Sequence, residues 1–577
     1  MHMLNRFRPV FLALTIVAAA LLALGVLTLP GAKDASYEGF SAVRAAEDIE
    51  AISKVPHSVQ HPEERAAVRE YLVSRLEQMG GKVTTFRYDS LTGPKNRRVQ
   101  YTFDAVDVLA EFPPLKTSGD TTWLMLVAHY DSRYENHLPE GRVLSYGAAD
   151  DGYGVAVILE TVSQLLKKRD DWKQGVKVLF TDAEEAGMMG MESVWNNDRY
   201  VFDNTGLMIN VEARGTYGPA LLFETSPGNE KLLDLYAYAD YPFTYSLTTI
   251  VYGFLPNFSD FTIVKDELPG MNFSTVADIN HYHTDLDCFE NISLKTVQHY
   301  GEQILPVAEK YLTDAVYSDK DYLRAEKNTA FFTIPLLGLF NVKKTIYVVI
   351  NMAIFLVFIL LLAVEGLRGR IKAMKVFRNS CIVLLTSVGV LALGELVAYL
   401  ASMAAGAYFR PFGVLQGIKG DNWISLLTIL FVIIAAVAVY VSFRQGAIRQ
   451  TAGSMRASAA FNAANRYAYG ILYGTLCLLF LLNVVLVAVL GENVMFIAVF
   501  AFAVFAMVLW HMTSFKFWLL AAIFLMIVQA MSFSYALFMA LTIGALGVVA
   551  MLAFIYAMVL IPLSDMYISY QPAKKNK

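Results

Sequence analysis

Cysteine is nearly absent from this chain: there are three in 577 residues, and Cys381 and Cys477 lie in or beside apolar runs, leaving Cys288 alone in the polar part. No disulfide can therefore form within the polar part, and its stability must come from a packed core. Charge is also scarce, at 17% of residues, and nearly balanced, with a formal net charge of −4. Without a basic excess or stripe, nothing marks a nucleic-acid partner. What abounds is apolar side chain: 56% of the chain, with a mean hydropathy of +0.44, above the roughly 45–50% of ordinary globular proteins. The excess is uneven. Residues 31–325 read as a globular sequence, and at about 290 residues that stretch can bury a core of its own. Residues 345–562 are dominated by long uncharged runs.

Those runs predict a membrane protein. Residues 9–29, preceded by Arg6 and Arg8, are long enough to cross a bilayer and are expected as a retained anchor, the competing reading being a cleaved signal peptide. Seven further apolar runs follow, at roughly 345–364, 379–404, 422–442, 467–490, 494–511, 516–533 and 538–562. The cations test the topology. Arg368, Arg370, Lys372, Lys375 and Arg378 follow the first of these runs, Arg444, Arg449, Arg456 and Arg466 the third, and Lys574, Lys575 and Lys577 end the chain. With eight spans, all three clusters fall on the side of the amino terminus, as the positive-inside rule requires. The expected layout is an anchor (1–30), an extracytoplasmic domain (31–325), a connector (326–344), an all-α bundle of seven membrane helices (345–562) and a basic cytoplasmic tail (563–577). Both termini are then cytoplasmic. Phe331 to Phe340 is too short to span and reads as a strand or interfacial segment.

Within the globular part, residues 62–79 carry helical spacing closed by Gly80-Gly81. Strands are expected near 83–89 and 99–110, and buried strands at 123–128, 176–181 and 207–211, with a helix from Tyr153 to Lys168. Strands alternating with helices predict an α/β domain: three layers, with a mostly parallel central sheet flanked by helices. Five clusters of chemistry-bearing residues fall at element ends. The run Trp123-Leu-Met-Leu-Val-Ala stops at His129, with Asp131 two positions on. Asp150-Asp151 directly precedes a helix, and Phe180-Thr181 runs into Asp182-Ala-Glu184-Glu185. Ile209 runs into Asn210-Val-Glu212-Ala-Arg214-Gly215, and the last cluster is His281-Tyr282-His283-Thr-Asp285. Each alone reads as a surface turn or a solvated helix start. As a set, at the carboxyl ends of neighbouring parallel strands, mixed histidines and carboxylates suit zinc, and a shared carboxylate suits two metals.

His129-Tyr-Asp131-Ser, Gly147-Ala-Ala-Asp150-Asp-Gly, Glu184-Glu185-Ala-Gly, Asn210-Val-Glu212-Ala-Arg-Gly and Tyr282-His283-Thr resemble the site motifs of metallopeptidase family 28. Pro56-His57 and Ser259-Asp260-Phe261 extend the resemblance, which covers roughly residues 40–320. The layout resembles the family's multi-spanning endoplasmic-reticulum and vacuolar members. The resemblance implies an aminopeptidase-type fold and two zinc ions bridged by Asp150, one held also by His129 and Glu212, the other by Glu185 and His283. Glu212 stands where many members have Asp. The resemblance further implies Glu184 as general base, Asp131 as the group orienting the His129 ring, and Tyr282 as an oxyanion donor. The function implied is an exopeptidase, foremost an aminopeptidase acting on peptides. A non-catalytic receptor or scaffold ectodomain, a transporter-linked hydrolase using the bundle, and a glutaminyl-cyclase-like enzyme are the alternatives. Elsewhere, Glu395 inside an apolar run is either functional or a helix-gluing carboxyl, and His511 beside Trp510 is expected at the membrane interface. Asn257, Asn272 and Asn291 head glycosylation sequons.

Overall fold

The computed structural model describes residues 7–25, 29–92, 102–116, 120–133, 144–254, 257–334, 337–407, 409, 418, 420–452 and 457–569. They divide into two compact units, one comprising Leu27–Thr333 and Leu337–Lys344, the other Met1–Val26, Ile334–Leu336 and Thr345–Lys577. Helix α1 (Arg8–Leu24) belongs to the second.

The first unit opens with α2 (Ala42–Ile52), capped by Ser41, and α3 (Pro62–Gln78), which has Pro at its first turn followed by Glu63 and Glu64. Both devices satisfy or complement the exposed amide end of a helix. Then come β1 (Lys82–Thr92), β2 (Thr102–Phe112), β3 (Trp123–His129), α4 (Gly152–Leu166), β4 (Gly175–Thr181), α5 (Met189–Asn197) and β5 (Thr205–Ala213). They are followed by β6 (Leu221–Thr225), α6 (Glu230–Tyr236), α7 (Ser246–Phe254), α8 (Asp260–Val264), β7 (Gly270–Thr275) and α9 (Leu294–Thr313). The pair β8 (Thr329–Ile334) and β9 (Gly338–Lys343) form a separate two-stranded ribbon, so of the segment read as a strand or interfacial stretch, residues 331–334 and 338–340 are strand. Of the strand expected at 99–110, residues 99–101 lie outside the described residues.

The seven-stranded sheet has the order β1-β2-β4-β3-β5-β7-β6. Its centre, β4-β3-β5-β7, is parallel, but β1, β2 and β6 join antiparallel. The sheet is therefore mixed at its edges around the expected parallel core, with only β2 and β6 running against the other strands. At one edge β1 pairs with β2, its neighbour in sequence, which needs no helical crossover; at the other, β6 pairs with β7 across a stretch that holds α6, α7 and α8. Strand alternation sends side chains to two cores. Leu124, Leu126, Val176, Val178, Leu207 and Ile209 pack with α2, α4 and α9, while Met125, Val127, Leu179 and Met208 pack with α5 and α8. Covering both faces leaves the carboxyl ends of β3, β4 and β5 side by side, and the chemistry collects there.

The second unit contains α10 (Lys344–Leu367), α11 (Ala373–Ala404), α12 (Asp421–Ala452), α13 (Ala457–Leu490), α14 (Val494–Thr513), α15 (Phe517–Leu541) and α16 (Leu546–Ser569). Among the described residues, six helical runs are long and apolar enough to cross a membrane, the last being Phe517–Ile568. That run of 52 residues would extend about 78 Å at 1.5 Å per residue, far beyond a hydrocarbon core of about 30 Å. It is interrupted by a tight turn at Thr542–Ala545. Helix α1 is a shorter apolar helix, and Ser532 Oγ donates to Ala23 O at 3.0 Å. The basic tail beyond 569 and Arg456 lie outside the described residues. Glu395 sits at a close crossing of α11 and α16: a Cβ on Gly547 would come 2.6 Å from Glu395 Oε1, and one on Gly394 2.5 Å from Gly547 Cα. His511 lies in the last turn of α14. Its Nε2 lies 3.2 Å from Glu365 Oε1, a carboxylate that also accepts from Arg370 at 3.0 Å, so it belongs to an ionic cluster.

Candidate metal centre

Strand β3 ends on His129, whose side chain is buried. Its Nδ1 lies 3.0 Å from the Asp131 backbone carbonyl and 3.4 Å from Asp131 Oδ1, leaving Nε2 to face 3.3 Å to Asp150 Oδ1 and 3.8 Å to Glu212 Oε2. Asp150 turns its other oxygen away: Oδ2 lies 3.2 Å from His283 Nε2, which is 2.9 Å from Glu185 Oε1. His129, Asp150 and Glu212 form one group whose ligand-type atoms all lie within 4.8 Å of one another, and Asp150, Glu185 and His283 form a second. All five residues expected as ligands are thus assembled, with Asp150 common to both groups.

The second group leaves buried ligand-type atoms unsatisfied. Asp150 Oδ2, Glu185 Oε1 and His283 Nε2 are buried and make no hydrogen bond among the described residues, although they approach to 2.9 and 3.2 Å. Two carboxylate oxygens and an imidazole nitrogen drawn this close in a buried site are a donor set that suits a divalent cation. Charge gives the same answer. Burial, with the neighbouring Glu212 and Glu185 charges adding to it, pushes the Glu184 carboxyl well up against the pull of His129. Burial likewise pushes Glu212 up to about 8. So many carboxylates in one dry pocket are stable only when protonated or when cations sit among them. The donor set fits divalent zinc.

The loops that carry these groups are held by local bonds. Asp131, fully buried, accepts the Glu184 amide through Oδ1 at 2.9 Å and the Glu185 amide through Oδ2 at 3.3 Å. Its carboxylate thus does more to hold the Glu184-Glu185 turn than to hold the His129 ring. The twin aspartates divide their work: Asp150 faces the two histidines, while Asp151 caps α4 by accepting from the Gly154 amide at 3.0 Å. Tyr282 stacks on His283 with ring centroids 3.6 Å apart, and the Arg214 guanidinium lies 5.7 Å from the Tyr282 ring.

Other members of the sequence clusters fall elsewhere. Asp182 forms an ion pair with Arg65 at 3.2 Å and accepts from Tyr130 and the Val106 amide, and burial pushes it up to about 6. His281 meets Thr216 Oγ1, and Asp285 is exposed. The Asn272 sequon is closed, since that side chain is fully buried within β7. Two residues were not singled out from the sequence as parts of the site. Arg133 Nη1 donates to Glu185 Oε2 at 2.7 Å. Asp287 accepts from the Ala149 amide at 2.7 Å and the Asp150 amide at 3.3 Å, fixing the loop that presents Asp150. Its position just past His283 was the one available hint.

The carboxyl edge of this α/β sheet thus presents two donor groups that suit divalent metal. Residues 107–308 match peptidase family M28, so the chain carries a domain of that family. Similar proteins include endoplasmic reticulum metallopeptidase 1 of Mus musculus, 27% identical over 39% of this chain and 26% of that protein. The vacuolar membrane protease of Eremothecium gossypii is 26% identical over 50% of this chain and 28% of its own length. The chain thus spans about a quarter of the length of these relatives. Among solved structures, a Zn-dependent exopeptidase from Parabacteroides distasonis aligns at 20% identity and a TM-score of 0.36, over 47% of this chain and 98% of that one. A glutaminyl cyclase from Porphyromonas gingivalis aligns at 17% and 0.37, over 47% and 99%.

Proposed function

We propose that this chain is a membrane-anchored di-zinc exopeptidase, an aminopeptidase that removes amino-terminal residues from peptides on the extracytoplasmic side. One observation carries the reading: Asp150 is shared between two complete ligand groups, with Glu184 held beside them through its amide bond to Asp131. His129, Asp150 and Glu212 would hold one zinc, and Asp150, Glu185 and His283 the other. Bound zinc supplies Lewis acidity and brings the pKa of a water to about 7. Glu184 takes the proton of the attacking water and returns it to the leaving amine. The Tyr282 hydroxyl donates to the carbonyl oxygen as that oxygen gains charge. Arg133 neutralises the outer oxygen of Glu185, and Asp287 keeps Asp150 in place.

Eight membrane crossings, with both termini cytoplasmic, go with this reading. It is supported by the six apolar helical runs, the break in the last of them, the apolar helix α1 and the one-sided basic clusters.

The test is metal content and peptidase activity of the full-length protein in detergent, beside Asp150→Ala and Glu184→Gln. The substrates are short peptides with free or blocked amino termini. Two zincs per chain and cleavage confined to free amino termini are expected, with metal lost in Asp150→Ala and retained in inactive Glu184→Gln. Cleavage confined to blocked peptides would move the reading to another exopeptidase type, and cyclisation of amino-terminal glutamine with one zinc bound would move it to a cyclase. No metal and no turnover would refute it.

A further inference from the structure

A row of buried polar side chains crosses the sheet beside Glu212, and the catalytic reading gives it no task. Asn210 on β5 pairs in register with Asn272 on β7, which in turn pairs with Glu224 on β6. Asn210 and Asn272 are fully buried, and Glu224 nearly so. Three polar groups in adjacent strands are costly inside a core unless every bond among them is made. The bonds run in one direction. Lys265 Nζ donates to Glu224 Oε1 at 2.5 Å, and Asn272 Nδ2 donates to Glu224 Oε2 at 3.1 Å and to Ser259 Oγ at 2.9 Å. Asn210 Nδ2 donates to Asn272 Oδ1 at 3.0 Å and to Glu212 Oε1 at 2.9 Å.

The direction has a cause. An ionised carboxylate can only accept, so Glu224, held by Lys265, forces Asn272 to turn its NH2 outward along the row. The Asn272 oxygen must then face Asn210, and the Asn210 NH2 must face both Asn272 and Glu212. The Asn210 oxygen is left buried without a hydrogen-bond partner among the described residues. With Oε1 of Glu212 engaged in this way, Oε2 is the oxygen that faces His129 Nε2 at 3.8 Å.

We propose that Asn210, Asn272 and Glu224 are positioning residues that aim one oxygen of Glu212 at the metal of the His129-Asp150-Glu212 group. The longer glutamate side chain has an extra rotatable bond compared with aspartate, and the relay removes that freedom by fixing one oxygen from outside the pocket. The inference rests on the two-metal reading, yet can fail separately from it. The Asp150-Glu185-His283 group receives nothing from the row, so the relay acts on one metal and not the other.

The test uses the full-length protein in detergent, stripped with chelator and titrated with Zn²⁺ by competition, with thermal unfolding measured alongside. The variants are Glu224→Leu, two strands away from Glu212, and Lys265→Met, which lies at the half-buried end of the row. Wild type is expected to bind two zincs. Glu224→Leu should weaken one of them by about 10–100-fold and leave the other unchanged. Lys265→Met should weaken the same one by less. A lowered unfolding temperature with both affinities unchanged, or both weakened equally, would reduce the row to a sheet staple and overturn the proposal. If Glu224→Leu does not fold, Lys265→Met decides by the same criterion. Wild type that binds fewer than two zincs refutes the two-metal reading before any variant is compared, and the relay with it.

Discussion

Asp131→Asn separates metal binding from turn geometry, because the Asp131 carboxylate serves both. Its Oδ1 accepts the Glu184 amide at 2.9 Å and Oδ2 the Glu185 amide at 3.3 Å, and Oδ1 also lies 3.4 Å from His129 Nδ1. An asparagine of the same shape keeps one acceptor and points an NH2 at the other amide, so one charge-assisted bond becomes a donor–donor clash inside a fully buried pocket. Losing such a bond costs about 1.5–3 kcal/mol. A central value of ~2 kcal/mol corresponds to roughly 30-fold less protection of the turn against local opening. The ring of His129 is affected separately. Its Nδ1 keeps the bond to the Asp131 backbone carbonyl at 3.0 Å, so its tautomer survives, but the negative charge that makes Nε2 a better ligand is gone. Zinc affinity should fall about 10–100-fold. Hydrogen–deuterium exchange of the peptide containing Glu184 and Glu185 reads the first effect in zinc-free protein, and chelator competition reads the second. Exchange and affinity both at wild-type values would refute the reasoning. Faster exchange with unchanged affinity would leave Asp131 as a brace for the turn alone.

The sequence carried the ligands better than it carried their supports. His129, Asp150, Glu185, Glu212 and His283 each stand at an element end within a short motif, and their assembly follows once β3, β4 and β5 are neighbours. Supports such as Asp287 and Arg133 act through bonds to residues 137 and 52 positions away, and no local pattern records a pairing at that range. Asn272 was actively misleading. Its sequon is local, while its burial depends on β6 and β5 flanking β7. The same limit explains the sheet. Apolar alternation marks a strand without fixing the direction of its neighbour, so the parallel centre was legible and the antiparallel edges were not.

Three further outcomes follow from single positions. Glu184→Gln keeps the side-chain shape and the ligand groups but cannot accept the water proton, so turnover should fall by about 10²–10⁴-fold with zinc content unchanged. Equal turnover would remove Glu184 as base. Gly215 has φ +124, and a Cβ there would lie 2.0 Å from Ala277 O, so Gly215→Ala should destabilise the domain by several kcal/mol, on the order of other strained or overpacked sites. An unchanged unfolding temperature would contradict this. Acid sensitivity should trace to His299. Burial lowers its pKa to about 3, and its Nδ1 accepts the Ala220 amide at 2.9 Å, so a proton on Nδ1 would face an N–H. The unfolded chain, with an ordinary pKa of about 6.5, binds that proton first. Stability is therefore present above about pH 6.5 and falls as pH drops toward 3, by on the order of 5 kcal/mol when the whole window is crossed. Glutamine can accept the Ala220 amide without titrating, so His299→Gln should shift acid unfolding to lower pH. Buried carboxylates such as Asp182, pushed up to about 6, act with the opposite sign and are common to both proteins, so they cancel in the comparison. Identical acid midpoints would show that His299 is not what acid protonates first.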